Sequence, residues 1–139
     1  MKNKILLGGV VFAVLSFSAL VSIELVSPAL ASPAQGAGEV SYKNDVLPII
    51  HDYCLNCHEP GGKGYEKSGL DMRTYQGLMK GTKFGSVIKP GDSFTSIMIQ
   101  VIEGRVHASI KMPYGMSGGL AKDKIEILKK WVNQGARNN

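Results

Sequence analysis

Five consecutive residues, Cys54-Leu55-Asn56-Cys57-His58, bring two thiols and an imidazole together at a spacing with a specific chemical use. Two thiols three positions apart can add to the two vinyl groups on one edge of a haem. A His directly after the second Cys then lies where its imidazole can ligate the iron. The motif predicts covalent attachment of one haem through thioethers from Cys54 and Cys57, with His58 as the proximal iron ligand. Other uses of a Cys-x-x-Cys pair fit less well. A thiol–disulfide redox pair belongs in a βαβ setting, and no convincing strand pattern runs through this chain. Half a zinc site would need further ligands, yet beyond His58 the chain holds only His51 and His107 and no third Cys. His51 sits seven residues ahead of His58 on one helical run, where a solvent-facing place is expected.

The second axial position decides between electron transfer, which a filled site favours, and small-molecule binding or catalysis, which needs an open one. Of the six Met residues, Met112 stands out. Pro113 biases it away from helical geometry and stiffens the backbone that carries its thioether. Met72, Met79 and Met98 fall on segments read as helical, where a packing role is expected. Met112 is therefore the expected distal ligand, with His107 and Met116 as the alternatives. A soft thioether favours Fe(II), so a His/Met pair predicts a higher reduction potential than two imidazoles.

The elements that must hold these residues are short. Asp45 is read as the N-cap of a first helix with Pro48 at its third position, and Val46, Ile49, Ile50 and Tyr53 share one apolar face. Residues 59–68 read as a loop. Asp71 is placed as the cap of a short helix ending near Lys80, with Gly81 as its stop. Ser93 is read as opening another helix on which Phe94, Ile97, Met98, Val101 and Ile102 share a face until Gly104. Residues 107–119 read as irregular. The last helix is expected over 122–133, carrying Ile125, Leu128, Trp131 and Val132, with Gly135 beyond its end. Together these predict an all-α chain of short helices and Gly-rich loops.

The chain has 139 residues, 44% of them hydrophobic and 19% charged, which bounds it to one ordinary globular domain and excludes collagen, disorder or a repeat array. Such short helices make a weak core unless a large apolar ligand fills it. The formal charge of +5 arises without an aromatic-interleaved basic run, so nucleic acid is not an expected partner. Residues 1–31 read as a signal peptide: Lys2 and Lys4 precede the uncharged stretch 5–23, and Ala29-Leu30-Ala31 offers a cleavage site. Cleavage leaves residues 32–39 as a flexible lead-in and 40–139 as the domain, and lowers the charge to +4 by removing Lys2, Lys4 and Glu24. An uncleaved segment would instead serve as a membrane anchor. Either way the domain is exported, to the periplasm or its equivalent.

Further residues carry a resemblance. The haem motif, Lys111-Met112-Pro113 downstream and a final helix with Trp131-Val132 before Gly135-Ala136 resemble a small class I c-type cytochrome. Val46-Leu47-Pro48-Ile49, Ser68-Gly69-Leu70-Asp71 and Pro90-Gly91-Asp92 with Ser96 narrow this to the cytochrome c domains called planctomycete-type, over about 40–136. The resemblance implies the class I fold wrapped around one haem c, and the same distal ligand, Met112. It also implies an electron carrier rather than an enzyme, acting as a monomer or as a subunit of a redox complex. The competing class is a haem enzyme or small-ligand-binding cytochrome with an open or His-ligated site. Tyr114 replaces a second Pro of the family pattern, and Ala121 stands where a Ser or Thr caps the last helix. The Gly-Pro-x-Leu segment that orients the imidazole is missing, so a carbonyl between 61 and 70 should replace it. Lys63, Lys67, Lys80, Lys83 and Lys111 flank the expected haem edge and fit a redox partner with an acidic surface. Arg73 and Arg105 are the candidates for pairing with haem propionates.

Overall fold

The computed structural model describes residues 38–139. The signal peptide read over 1–31 and most of the lead-in lie outside the described residues. Among the described residues the chain is all-α, with five short helices, no strand, and a single isolated bridge between Thr82 and Gly85.

The first helical run starts earlier than the Asp45 cap predicts. Ser41 caps it, its hydroxyl accepting the Asn44 N–H at 3.1 Å. A widened turn, Tyr42–Val46, leads directly into helix α1, Leu47–Tyr53. In that turn Val46 N–H donates to the Ser41 carbonyl five residues back, and Leu47 N–H to that of Tyr42. The physical reason is Pro48: its ring crowds the carbonyl four residues earlier, that of Asn44, and a wider turn relieves the contact. The expected apolar face survives, with Val46, Ile49 and Ile50 buried.

Residues 59–68, expected as a loop, contain helix α2, Lys63–Ser68. Its glycines and charges carry no apolar periodicity, so the helix is held by tertiary contacts rather than announced by pattern. Helix α3 is Tyr75–Lys80, capped by Thr74, whose hydroxyl accepts the Gly77 N–H at 3.0 Å. Asp71 is not the cap, because its carboxylate holds the Arg73 guanidinium at 2.8 Å. Gly81 follows the helix as expected. Helix α4, Ile97–Glu103, begins later than Ser93, because Asp92 accepts the Thr95 N–H and closes a separate turn first. Buried Ser96 ties that turn down, accepting the Lys89 N–H at 2.9 Å and donating to the Asp92 carbonyl at 2.7 Å. Phe94 consequently leaves the α4 face and is 74% exposed, beneath the Arg105 guanidinium. The left-handed Gly104 ends α4 as read. Residues 107–119 are irregular apart from one tight turn, Ala108–Ile110.

Helix α5, Lys122–Asn133, has the predicted bounds, and Ala121 supplies no side-chain cap. It packs on Tyr42–Val46 and on α4. At its centre Trp131 lies 5.5 Å from the Tyr42 ring, which meets Tyr75 edge-on at 5.2 Å. Trp131 Nε1 donates to the Arg137 carbonyl and Tyr75 Oη to that of Ala136, both at 2.8 Å, so the chain end is fastened over the aromatic trio. First and last helical runs thus meet, at the Tyr42–Val46 end.

Candidate functional site

Beside this core the helices leave a cavity of about 390 Å³. Tyr53, at the end of α1, and Cys54, Cys57 and His58, in the turn after it, form one part of the wall. Ile97, Met98, Val101 and Ile102 of α4, Leu128 of α5, and Met112 and Pro113 line it as well. The face read on α4 is therefore the cavity wall, Phe94 excepted, while Ile99 points into the core. Leu70, Met72 and Val87 complete an almost wholly apolar lining. Among the described residues no charged side chain lines it. Besides the Tyr53 phenol, its hydroxyls are those of Ser68, Thr82 and Ser86, each bonded to a neighbouring backbone group.

The turn carrying the two cysteines is rigidly built. His58 N–H donates to the Cys54 and Leu55 carbonyls, and the His58 carbonyl accepts the Met72 N–H at 2.8 Å. The two thiols are free. Burial, and secondarily the neighbouring Cys57 thiol, push the Cys54 thiol up to about 11, so it stays protonated and uncharged. His58 is buried, and burial lowers its pKa, with the Leu70 backbone opposing that shift. Nδ1 makes no well-aligned hydrogen bond: the Leu70 backbone is near enough to act on the ring without completing one. Within the 61–70 stretch expected to supply an orienting carbonyl, none completes a hydrogen bond to Nδ1, and Leu70 is one residue whose main chain lies near the ring.

Two thiols, one buried imidazole and the thioethers of Met72, Met98 and Met112 facing one apolar cavity fit a covalently bound haem. Among the described residues no group of three or more His, Cys, Asp or Glu could hold a metal ion, which removes support for the zinc alternative. The strand-free fold likewise lacks the βαβ setting of a thiol–disulfide pair. Met112 lines the cavity and its N–H is anchored on the Val101 carbonyl at 2.9 Å; the peptide to Pro113 is cis. His107 and Met116 are exposed and line no part of the cavity. His51 is exposed beside Asp52, as expected of a solvent-facing helix residue.

Residues 54–113 match the family described as Planctomycete cytochrome C. Over this segment the chain is similar to planctomycete-type cytochrome c domains. The match takes in Cys54, Cys57, His58 and Met112, and is narrower than the 40–136 span of the sequence resemblance. No curated protein and no solved structure matches the chain. A cytochrome c domain is a haem-binding, electron-transfer unit with covalent attachment, and such domains are typically exported. No described helix is long and apolar enough to cross a membrane.

Arg73 and Arg105, the candidates for pairing with haem propionates, take acidic partners among the described residues. Arg73 is held by Asp71, and Arg105 is held by Glu103 at 2.6 Å and by the Phe94 carbonyl at 3.0 Å. Neither lines the cavity, so the arginines read as propionate partners are engaged elsewhere. Lys67, Lys83 and Lys111 alternate in sequence with the cavity-lining Ser68, Thr82, Phe84, Ile110 and Met112, and all three are exposed. Sequence reasoning missed Leu70, Met72 and Met98 as cavity residues. The signal for Met98 was present, since it shares a helical face with Val101 and Ile102. Leu70 and Met72 alternate along an extended stretch too short to read.

Proposed function

We propose that this cytochrome is an exported one-electron carrier holding one haem c per chain, with His58 and Met112 as axial ligands. The observation that carries this reading is that Cys54, Cys57, His58 and Met112 all line one apolar cavity, whereas His107 and Met116 do not. When bound, the haem iron supplies the Fe(III)/Fe(II) couple. The two thiols hold the group, the aliphatic wall excludes water from it, and the soft Met112 thioether favours the reduced metal. The exposed lysines beside the cavity residues fit docking of a redox partner with an acidic surface, either as a free carrier or within a complex. The protein is an electron carrier and not an enzyme on this reading. The alternative is catalysis or small-ligand binding at a haem with an open or His-ligated sixth site.

Two measurements test the reading. Denaturing mass spectrometry of protein made with a c-haem maturation system should give one haem per chain and an N-terminus at Ser32. Haem released by acid–organic extraction refutes covalent attachment. The near-infrared sulfur–iron band should vanish in Met112→Ala and persist in His107→Ala and Met98→Leu. Its loss in Met98→Leu with retention in Met112→Ala would move the ligand to α4.

A further inference from the structure

The chain lacks the Gly-Pro-x-Leu segment, and α2 stands beside His58 in its place. The Tyr65 N–H donates to the Cys57 carbonyl at 2.8 Å, fastening α2 to the motif. A Cβ built on Gly64 would lie 2.8 Å from His58 Cε1, 3.0 Å from Nδ1 and 2.8 Å from the Cys57 carbonyl oxygen. One built on Gly62 would lie 2.6 Å from the same oxygen. Gly64 lies inside α2, where Ala is the better helix former and positive φ is not needed. Space against the imidazole and the Cys57 carbonyl oxygen is what demands glycine there. Ser68 braces the arrangement, its hydroxyl donating to the Gly64 carbonyl at 2.7 Å and accepting the Leu70 N–H at 3.2 Å. One hydroxyl therefore ties together the two backbone points that bear on the ring.

We propose that Gly64 is a positioning residue for the proximal imidazole: the bare α2 backbone at Gly64 is the wall against which the His58 ring rests, and it fixes the ring's rotation. The proposal rests on His58 being an iron ligand. Ring rotation sets which haem methyl groups receive unpaired spin in the ferric protein, so the order and spread of the hyperfine-shifted methyl resonances report it directly. In the holoprotein, Gly64→Ala should keep the haem covalently attached, by mass, while reordering those resonances. Glu66→Ala, exposed on the same helix, should leave them unchanged. A folded Gly64→Ala holoprotein with the wild-type methyl pattern overturns the proposal. If Gly64→Ala does not accumulate folded, Ser68→Ala carries the test, since it loosens the brace without adding bulk; an unchanged pattern there overturns the proposal as well. His58→Gly separates the two levels: unaltered iron coordination in that variant removes the ligand assignment itself, whatever the Gly64 variant does.

Discussion

A single thioether decides the redox character of this cytochrome on the reading proposed here. Met112→His should restore a six-coordinate iron with the sulfur–iron band gone and a lower midpoint potential, because imidazole lacks the preference of sulfur for Fe(II). Redox titration checks it, and an unchanged potential would mean that Met112 is not a ligand. A different residue sets an acid response. The Thr95 hydroxyl, then the Thr95 N–H, then Lys89, hold the Asp92 carboxyl down at about 2, against 3.8 for an unperturbed carboxylate. A depressed folded pKa contributes stability that is complete above 3.8 and lost as pH falls toward about 2. Asp92→Asn keeps an acceptor without the charge. Its urea midpoint should lie below that of the wild type at neutral pH, and the gap should close on acidification through that window. A gap independent of pH would refute the assignment. The Asp92 side chain is 31% exposed and that of Lys89 68%, so solvent screens the pair and the effect is small.

The elements owe their stability to packing rather than to length. Helices of six or seven residues are marginal on their own. What holds them is α5 with Trp131, 1% exposed, against Tyr42 and through it Tyr75. Trp131→Ala should therefore destabilise the holoprotein by roughly 3–5 kcal/mol, the range for large buried aromatics. Denaturant unfolding measures this, and a loss below about 1 kcal/mol would be that of a surface residue. The same contact ties the chain end to its beginning. Asn139 accepts the Tyr42 N–H through its side chain and the Lys43 N–H through its carbonyl, satisfying donors that the first turn of a helix leaves free.

The whole molecule is built around a hole. The cavity is open to solvent, so without an apolar occupant its aliphatic wall stays in contact with water instead of being buried. The double variant Cys54→Ala/Cys57→Ala, produced without haem, should therefore lose fixed tertiary packing, visible as loss of near-ultraviolet circular dichroism around Trp131. A cooperative melt at the holoprotein temperature would show that the helices close the cavity unaided.

Local chemistry was readable from the chain. The Cys-x-x-Cys-His motif and the α5 stripe each lie within a few residues, so spacing suffices to read them, and Met112 before Pro113 lines the same cavity as the motif. The apolar face of α4 was also legible, although not that it turns toward a cavity. Tertiary structure alone decided the rest. Asp45 looks like a cap, but Ser41 takes that role because Pro48 forces a wider turn ahead of α1. Asp71 looks like a cap until Arg73, two residues on, claims its carboxylate. Arg73 and Arg105 look free until their acidic neighbours are seen to hold them. Helix α2 has no periodicity, because its reason to exist lies in the fit of Gly62 and Gly64 against Cys57 and His58, a contact between segments that spacing along the chain does not encode.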